Sequence, residues 1–306
     1  MTAIETHQLT KRFGDVIALD GLDLIVPRGK ICAFLGPNGA GKTTTLRILT
    51  GLAKPTSGTA SIEGIPIGSA QKPSIGFLPD APNFYNWMNP RQFLTYIARL
   101  HNLENPPIDA TLERVGLKEA RKKRIGGFSR GMKQRLCIAQ ALLPKPKVLL
   151  LDEPVSALDP AGRKDVLDIM SSLRGEMTVF YSTHILSDAE RICDVVAILG
   201  KGRLILQANR DDLMTQYVRP VFEIDTLPDY IPQLNGLANQ IKTKPWTKRM
   251  ELHGAQLRVN VHNVETAQRE LLSLIADIPV LRFERANATL EDVFLLLTGA
   301  ESEVTQ

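Results

Sequence analysis

Residues 35–51 read LGPNGAGKTTTLRILTG, a cluster of turn-forming residues followed directly by a helical pattern. The run GPNGAGKT at 36–43 fits the phosphate-binding pattern G-x-x-x-x-G-K-[ST], and it is flanked by KICAF as a strand and TTTLRILTGL as a helix. Glycines let consecutive backbone N–H groups curl around phosphate oxygens, while the helix N-terminus and Lys42 add positive charge. The sequence therefore predicts a phosphate site here, with the Thr43 hydroxyl directed at Mg²⁺.

The organisation around this motif is typical of an α/β protein. Up to about residue 86 the pattern predicts short strands separated by turns. A helical insert is then predicted from MNPRQFLTYIARLHNL to TLERVGLKEARKK, because its apolar residues have helical spacing, with Phe93, Leu94, Ile97 and Leu100 on one stripe. Beyond it, KVLLLD, TVFYSTH and DVVAIL alternate with helical segments. That alternation predicts a parallel sheet covered on both faces.

Two adjacent acidic residues follow a buried strand in KVLLLDEP. Asp152 and Glu153 would then lie at the carboxyl edge of the parallel sheet, which lines its ligand crevice. Asp152 can hold Mg²⁺ directly or through water, and Glu153 can polarise the water that attacks the γ-phosphate. A solvated acidic strand end is the alternative, and the phosphate loop earlier in the chain favours the functional interpretation.

The bulk composition is that of an ordinary globular protein. The 306 residues include 37 Lys+Arg, 33 Asp+Glu and 43% hydrophobic residues, so the charge identifies no nucleic-acid or membrane partner. No apolar stretch reaches the roughly 20 residues of a membrane span, and the first residues lack the apolar core of a secretion signal, so we expect a cytosolic chain. Cys32, Cys137 and Cys193 are far apart in apolar patterns and are predicted to be buried thiols.

The stretch FSRGMKQRLCIAQAL resembles the signature segment of ATP-binding-cassette (ABC) ATPases, usually written LSGGQ, with Ser129 and Gly131 retained. The resemblance continues in order through LLLDEP, SALDP and STH, and KRFG precedes the phosphate loop. It covers about residues 3–210. It implies a P-loop NTPase of the ABC ATPase type, with a parallel sheet core, an antiparallel β subdomain and a helical subdomain.

The resemblance also implies residue roles. The residues implied to bind ATP are Phe13, Val16, Gly36, Pro37, Asn38, Gly39, Ala40, Gly41, Lys42, Thr43, Thr44, Ser129 and Gly131. The implied catalytic residues are Lys42, Glu153 and His184. The implied Mg²⁺ ligands are Thr43, Asp80 and Asp152. Phe13, with Val16, would hold adenine, whereas Ser129 and Gly131 would contact the γ-phosphate bound by the other cassette of a dimer. Taken alone, Ser129 would be a helix N-cap and His184 a structural histidine.

Three positions depart from the family pattern. Arg130 and Met132 stand where glycine and glutamine are usual in the signature segment. Asp80, in IGFLPD, stands where the family commonly has a glutamine that links the Mg²⁺ site to the transmembrane partner. Aspartate keeps an oxygen ligand but adds charge and has a shorter reach.

The sequence pattern changes after about residue 218, and we predict an ABC ATPase domain at 1–218 and a small α+β domain at 219–306. Alternating strands such as LRVNV and the amphipathic segment VETAQRELLSLIADI carry this prediction. The tail resembles the extra domain of drug-resistance-type exporter ATPases, with TLEDVFLLLTG as a typical ending. In that ending Thr289 and Asp292 form a capping-box-like start, Val293, Phe294 and Leu297 an apolar face, and Gly299 a C-cap. The alternative is a packing helix with no meaning for export.

These observations predict a Mg-dependent ATPase subunit that forms a head-to-tail homodimer around ATP. It would drive a separate transmembrane permease, most simply an exporter, from the inner face of the cell membrane. An importer ATPase shares every motif, but would more often carry glutamine at position 80 and a different tail. A soluble cassette protein acting on DNA or ribosomes is the other alternative. Missing coiled coils and tandem cassettes argue against it, and no nucleic-acid partner is expected.

Overall fold

The computed structural model describes residues 1–216, 221–286, 289–291 and 293–294. The chain divides into two units by its internal contacts, Met1–Arg210 and Asp211–Gln306. The boundary between independently folding domains at 218/219 stays a prediction.

The first unit contains two sheets and a group of helices. Its strands are β1 (Thr2–Phe13), β2 (Val16–Pro27), β3 (Ile31–Leu35), β4 (Ser57–Ile62), β5 (Ile65–Pro66), β6 (Ile75–Leu78), β7 (Val148–Leu151), β8 (Thr178–Thr183), β9 (Val195–Gly200) and β10 (Arg203–Asn209). Its helices are α1 (Lys42–Leu49), α2 (Pro90–Leu100), α3 (Ile108–Arg114), α4 (Arg130–Leu142), α5 (Pro160–Ser172) and α6 (Leu186–Ile192). Helix α7 (Arg210–Gln216) begins at the boundary between the units.

The predicted parallel sheet is confirmed, with strand order β10-β9-β3-β8-β7-β6. Its strands are parallel except for β10, which pairs antiparallel with β9. All residues of β3, β7 and β8 are buried, as expected for strands covered on both faces. A second, antiparallel sheet has the order β2-β1-β4-β5, and its first hairpin pairs Phe13 with Val16.

The predicted helical insert contains α2 and α3, and α4 follows it. A capping box between Asn89 and Gln92 starts α2, and Phe93, Leu94 and Ile97 are buried as predicted. The last residue of the predicted stripe, Leu100, is instead exposed at the helix end. The predicted helical pattern through residue 123 is too long: α3 ends at Arg114, and turns follow from Gly116, whose φ of +66° favours glycine.

The second unit confirms the predicted small α+β domain. It contains β11 (Val221–Thr226), α8 (Ile231–Lys242), β12 (Thr247–His253), β13 (Gln256–Val261), α9 (Val264–Leu274) and β14 (Val280–Ala286). The antiparallel strand order β12-β13-β11-β14 gives the β-α-β-β-α-β arrangement of ferredoxin-like folds. Its core includes Leu257, Val259, Val261 and Leu271. In the predicted final helix Val293 is buried, whereas Asp292, Leu297 and Gly299 lie outside the described residues.

The three cysteines are free and buried, as predicted. Burial raises the pKa of Cys137 to about 12 and that of Cys193 to about 12, and it raises the pKa of Cys32 further. These thiols are therefore protonated and unreactive. Among the helices that the structure describes, none combines the length and the apolar composition that a membrane crossing requires.

Candidate functional site: a nucleotide site at the carboxyl edge of the parallel sheet

The phosphate loop connects β3 to α1, as the motif requires. Glycine is obligatory at its first position, because a Cβ at Gly36 would lie 2.5 Å from the Leu199 carbonyl oxygen. Gly41 precedes α1 with φ +111°, and a Cβ there would lie 2.5 Å from the Ala18 carbonyl oxygen. No side chain caps α1, so its first N–H groups are available to an anion.

The ammonium group of Lys42 lies inside this loop. It is 6% exposed and donates hydrogen bonds to the carbonyl oxygens of Gly36 (2.7 Å) and Pro37 (3.2 Å). Lys42 Nζ also lies 3.5 Å from Glu153 Oε1. The loop backbone and the acidic strand end are therefore joined by one buried cation.

Asp152 connects the loop to β8. Its Oδ1 atom accepts hydrogen bonds from the Thr43 hydroxyl (3.1 Å) and the Ser182 hydroxyl (2.7 Å). Burial raises the pKa of Asp152 above its ordinary value, and the negative charges of Asp80 and Glu153 act in the same direction, while the two hydroxyl donors oppose them. A bound cation would stabilise this carboxylate.

The donor set fits Mg²⁺. Thr43 and Asp152 offer hard oxygen ligands, and Mg²⁺ is commonly held by one or two carboxylates together with substrate phosphates. In the part of the chain that the structure describes, no three His, Cys, Asp or Glu side chains form a cluster able to hold a metal ion by themselves. The residues are thus suited to a metal that arrives with a phosphate ligand.

Glu153 has an unusual backbone conformation, and its carboxylate has two partners. Its φ of +47° lies in the left-handed region, which few non-glycine residues adopt. Its side chain is 13% exposed, with Oε1 near Lys42 and Oε2 3.0 Å from His184 Nδ1. The His184 side chain is 47% exposed. A shielded carboxylate between a cation and an accessible imidazole is suited to proton transfer at the entrance of the site.

The predicted adenine residues lie on the β1–β2 hairpin. Phe13 is 55% exposed, Val16 is also exposed, and the Lys11 ammonium lies 4.8 Å from the centroid of the Phe13 ring. The close approach of Ala18 to Gly41 connects the hairpin to the end of the phosphate loop. Among the described residues, no hydrogen bond, ion pair or ring contact joins Phe13 or Val16 to Lys42, Asp152 or Glu153.

The signature segment forms the start of α4. Ser129 is the exposed N-cap residue and accepts a hydrogen bond from Met132 N (3.2 Å). Gly131 is buried against α5, where a Cβ at this position would lie 3.4 Å from the Gly162 Cα. Gln134, further along the same helix, donates to the Pro154 carbonyl (2.8 Å). The substitutions at 130 and 132 therefore leave a regular, capped helix start.

The structure brings Lys42, Thr43, Asp152, Glu153 and His184 into one network of contacts. The loop residues Pro37, Asn38 and Gly39 are exposed, Ala40 is buried, and Thr44 is half-buried in the first turn of α1. Asp80 is exposed after β6, close enough for its charge to act on Asp152. Within the described chain, no hydrogen bond joins Ser129 or Gly131 to this network.

Sequence reasoning missed Ser182 and Gln134 as parts of the site. Ser182 lies one residue before the carboxyl end of β8, the strand beside β7, where Leu151 is in register with Tyr181. The rule that parallel strands meet at one edge could therefore have identified it. Gln134 had no such signal, because its contact depends on how α4 packs against the segment after Glu153.

Comparisons with known proteins agree with this geometry. A family model described as ABC transporter matches residues 19–156, and one described as ATP-binding protein DrrA1-3-like, C-terminal domain, matches residues 209–298. The chain is 41% identical to the uncharacterized ABC transporter ATP-binding protein YxlF of Bacillus subtilis (strain 168), over 98% of this chain and 100% of that protein. It is 37% identical to the bacitracin transport ATP-binding protein BcrA of Bacillus licheniformis, over 97% and 98%. It is 34% identical to the Nod factor export ATP-binding protein I of Burkholderia orbicola (strain AU 1054), over 98% of each.

Solved structures share the fold of the first unit. An ATP-binding subunit of an ABC transporter is 30% identical, with a TM-score of 0.63, over 71% of this chain and 93% of that one. A dimeric ATP-binding cassette in a post-hydrolysis state, bound to ADP and Pi, has a TM-score of 0.60 at 23% identity, over 68% and 98%, and supports the fold alone. The expected fold class is confirmed, and the chain belongs to the ATP-binding proteins of ABC transporters.

Proposed function

We propose that this chain is the Mg-dependent ATPase subunit of an exporter, that two copies bind ATP between them, and that hydrolysis drives a separate membrane subunit. The observation that carries the proposal is the network in which Lys42 and His184 contact the two carboxylate oxygens of Glu153, while Thr43 contacts the neighbouring Asp152. The phosphate loop, through Lys42 and Thr43, is thereby in direct contact with the acidic pair Asp152 and Glu153.

In this proposal the loop from Gly36 to Thr44 binds the triphosphate. The uncapped N-terminus of α1 supplies N–H donors, and Lys42 exchanges its contacts with the loop carbonyls for phosphate oxygens. Phe13 and Val16 hold adenine at the exposed hairpin. The Mg²⁺ ion, with Thr43, Asp152 and Asp80 as candidate ligands, would supply charge neutralisation at the phosphates.

Glu153 acts as the base in hydrolysis. It accepts a proton from the attacking water as the water oxygen bonds to the γ-phosphorus and the bond to the β-phosphate oxygen breaks, leaving ADP and phosphate. Lys42 stabilises the negative charge on the phosphate oxygens. His184 orients the Glu153 carboxylate through its 3.0 Å contact and is exposed enough to reach the γ-phosphate.

The second copy completes the site. Ser129 is exposed at the start of a 13-residue helix, where a hydroxyl and the nearby Gly131 N–H are good donors to an anion. Neither residue forms a hydrogen bond with Lys42, Asp152, Glu153 or His184 of its own described chain, and we assign both to the γ-phosphate bound by the partner copy. The dimeric cassette among the similar folds is consistent with this assignment.

The membrane subunit and the direction of transport are inferred from relatives. The relatives named for bacitracin transport and Nod factor export extend over nearly the whole chain, including the second unit. We infer an exporter whose permease is a separate chain, with this subunit at the inner face of the cell membrane and Asp80 in contact with the permease. The importer and the soluble DNA- or ribosome-acting ATPase remain the alternatives.

Co-purification tests this proposal. The full chain carries an affinity tag and is expressed together with the hydrophobic protein encoded beside it. We expect that membrane protein to be recovered and to stimulate ATP hydrolysis, whereas recovery of nucleic acid would favour the soluble alternative. Inside-out vesicles with labelled bacitracin as the first cargo test direction, since ATP-dependent accumulation in the lumen corresponds to export.

A further inference from the structure

Ser182 makes two hydrogen bonds that join the acidic residues of the neighbouring strand. Its hydroxyl lies 2.7 Å from Asp152 Oδ1 and 2.9 Å from the Glu153 backbone nitrogen. Ser182 is fully buried near the carboxyl end of β8, directly beside the carboxyl end of β7. One hydroxyl therefore contacts both acidic residues at once, from a strand that neither of them belongs to.

The direction of these bonds is determined by their chemistry. The backbone N–H of Glu153 can only donate, so the Ser182 oxygen accepts from it. The single hydroxyl proton is then donated to Asp152 Oδ1, which also accepts from Thr43. Both hydroxyl donors are on Oδ1, and no hydrogen bond from a described residue is made to Oδ2, which is left for a metal ion or its water.

The same contact restrains the backbone of Glu153. Its left-handed φ is unfavourable for a residue with a side chain, so the surrounding contacts must maintain it. The Glu153 carbonyl accepts hydrogen bonds from Ser156 N (3.2 Å) and Ser156 Oγ (3.0 Å), and the Glu153 N–H is held by Ser182. The direction of the Glu153 side chain toward Lys42 and His184 depends on this backbone conformation.

We propose that Ser182 is a positioning residue for ATP hydrolysis. Its hydroxyl fixes the Asp152 carboxylate and the Glu153 backbone in their relative positions. The inference rests on the proposed roles of those two carboxylates. Ser182 does not touch the nucleotide; it acts through the residues that do. Loss of an outer partner of this kind typically costs about 10- to 100-fold in activity or metal affinity.

The test compares Ser182→Ala with Thr178→Val in the full chain. Thr178 is also buried on β8, and its hydroxyl likewise accepts a hydrogen bond from a backbone N–H, that of Gly29 (3.0 Å), at the opposite end of the strand. Both variants lose one buried hydroxyl, so a similar decrease in Tm is expected. Only Ser182→Ala should lower kcat, by about 10- to 100-fold, with KM for ATP within about threefold of wild type.

Binding measurements supply a second readout. By calorimetry, Ser182→Ala should bind ATP in EDTA as the wild type does, but should gain several-fold less affinity on addition of Mg²⁺. Ser182→Thr, which keeps the hydroxyl, should recover part of both kcat and the Mg²⁺ effect. If the alanine variant is insoluble, Ser182→Cys takes its place, because a thiol is a poor donor and acceptor of similar size.

The outcomes separate this inference from the proposed function. Equal kcat in Ser182→Ala and Thr178→Val would overturn the positioning role, as would full activity of Ser182→Cys. If Glu153→Gln abolishes turnover while Ser182→Ala does not, only the inference fails. If Glu153→Gln itself retains turnover, the proposed function fails.

Discussion

Two clusters of charged residues in the described part of the chain differ in how their carboxylates are neutralised. In the nucleotide site, Asp152 is held by two neutral hydroxyls, and no ion pair involves it within the described residues. On the face of the second unit's sheet opposite its core, Glu223 is held by two guanidinium groups, Arg258 Nε at 2.9 Å and Arg282 Nη2 at 3.2 Å. Arg282 also lies 3.8 Å from Asp225. We call this second group the sheet cluster.

The difference shows what each cluster is suited to do. Glu223 already has cationic partners on both neighbouring strands, through the registers that pair it with Arg258 and Asp225 with Arg282. The charge of the Glu223 carboxylate is thereby balanced by two guanidinium groups of the same unit. The buried Asp152 carboxylate has a raised pKa and gains from an incoming cation. Incomplete neutralisation of a buried carboxylate therefore distinguishes the candidate nucleotide site from the sheet cluster.

The largest effect is expected for Glu153→Gln in the nucleotide site. The change keeps the size and most hydrogen bonds of the side chain but removes the base, a role typically worth about 10²- to 10⁴-fold in rate. The variant should bind ATP and accumulate as a dimer on size exclusion. Glu176→Gln, which removes an exposed ion pair with Arg114, is the control and should retain activity. Near-normal turnover by Glu153→Gln would remove Glu153 from its role.

A smaller and conditional effect is expected for Asp80→Asn at the edge of the nucleotide site. Thr43 and Asp152 already offer Mg²⁺ ligands, so basal hydrolysis and its Mg²⁺ dependence should survive. Hydrolysis stimulated by the membrane partner should fall, because the residue is exposed and available for contact. The measurement is hydrolysis against Mg²⁺ concentration with and without that partner. A weakened Mg²⁺ dependence would make Asp80 a metal ligand, and no change in either assay would make it a bystander.

Removal of the sheet cluster by truncation should leave nucleotide binding intact. Every residue of the candidate nucleotide site lies before residue 185, and the second unit has its own core. A chain ending at residue 217 should therefore fold and bind ATP within about threefold of the full-length affinity, with its defect confined to dimer lifetime or partner assembly. An insoluble product that binds no nucleotide would show that the second unit is needed for the first to fold.

The smallest effect is expected for Glu223→Gln in the sheet cluster. Its two arginine partners are partly exposed, and ion pairs of this kind contribute about 1 kcal/mol or less. The Tm of the full chain should fall by no more than about 2–4 °C, and kcat should not change. Arg249→Gln, next to Glu251 on β12, is the matched surface change. A tenfold loss of ATPase activity would show that the sheet cluster acts on the nucleotide site.

Much of the site could be predicted from the sequence because its parts are local. The phosphate loop, the strand before it and the helix after it are adjacent in the chain, and the glycines at 36 and 41 are needed where other backbone passes close by. The carboxyl-edge rule similarly predicted Asp152 and Glu153 beside the loop. The length of α3 was predicted less well, because an apolar pattern continued past a glycine that ends the helix.

The sequence by itself determined the fold class and the α+β character of the second unit, and it predicted which residues bind phosphate and which acidic residues lie beside them. These follow from periodicity and from motifs a few residues long. Only the tertiary structure decided that Ser182 bridges Asp152 and Glu153, that Gln134 contacts Pro154, and that Glu153 adopts a left-handed backbone. The physical reason is that a hydrogen bond needs donor and acceptor atoms within about 3 Å of each other. For residues on separate strands and helices, only the packing of those elements determines that distance.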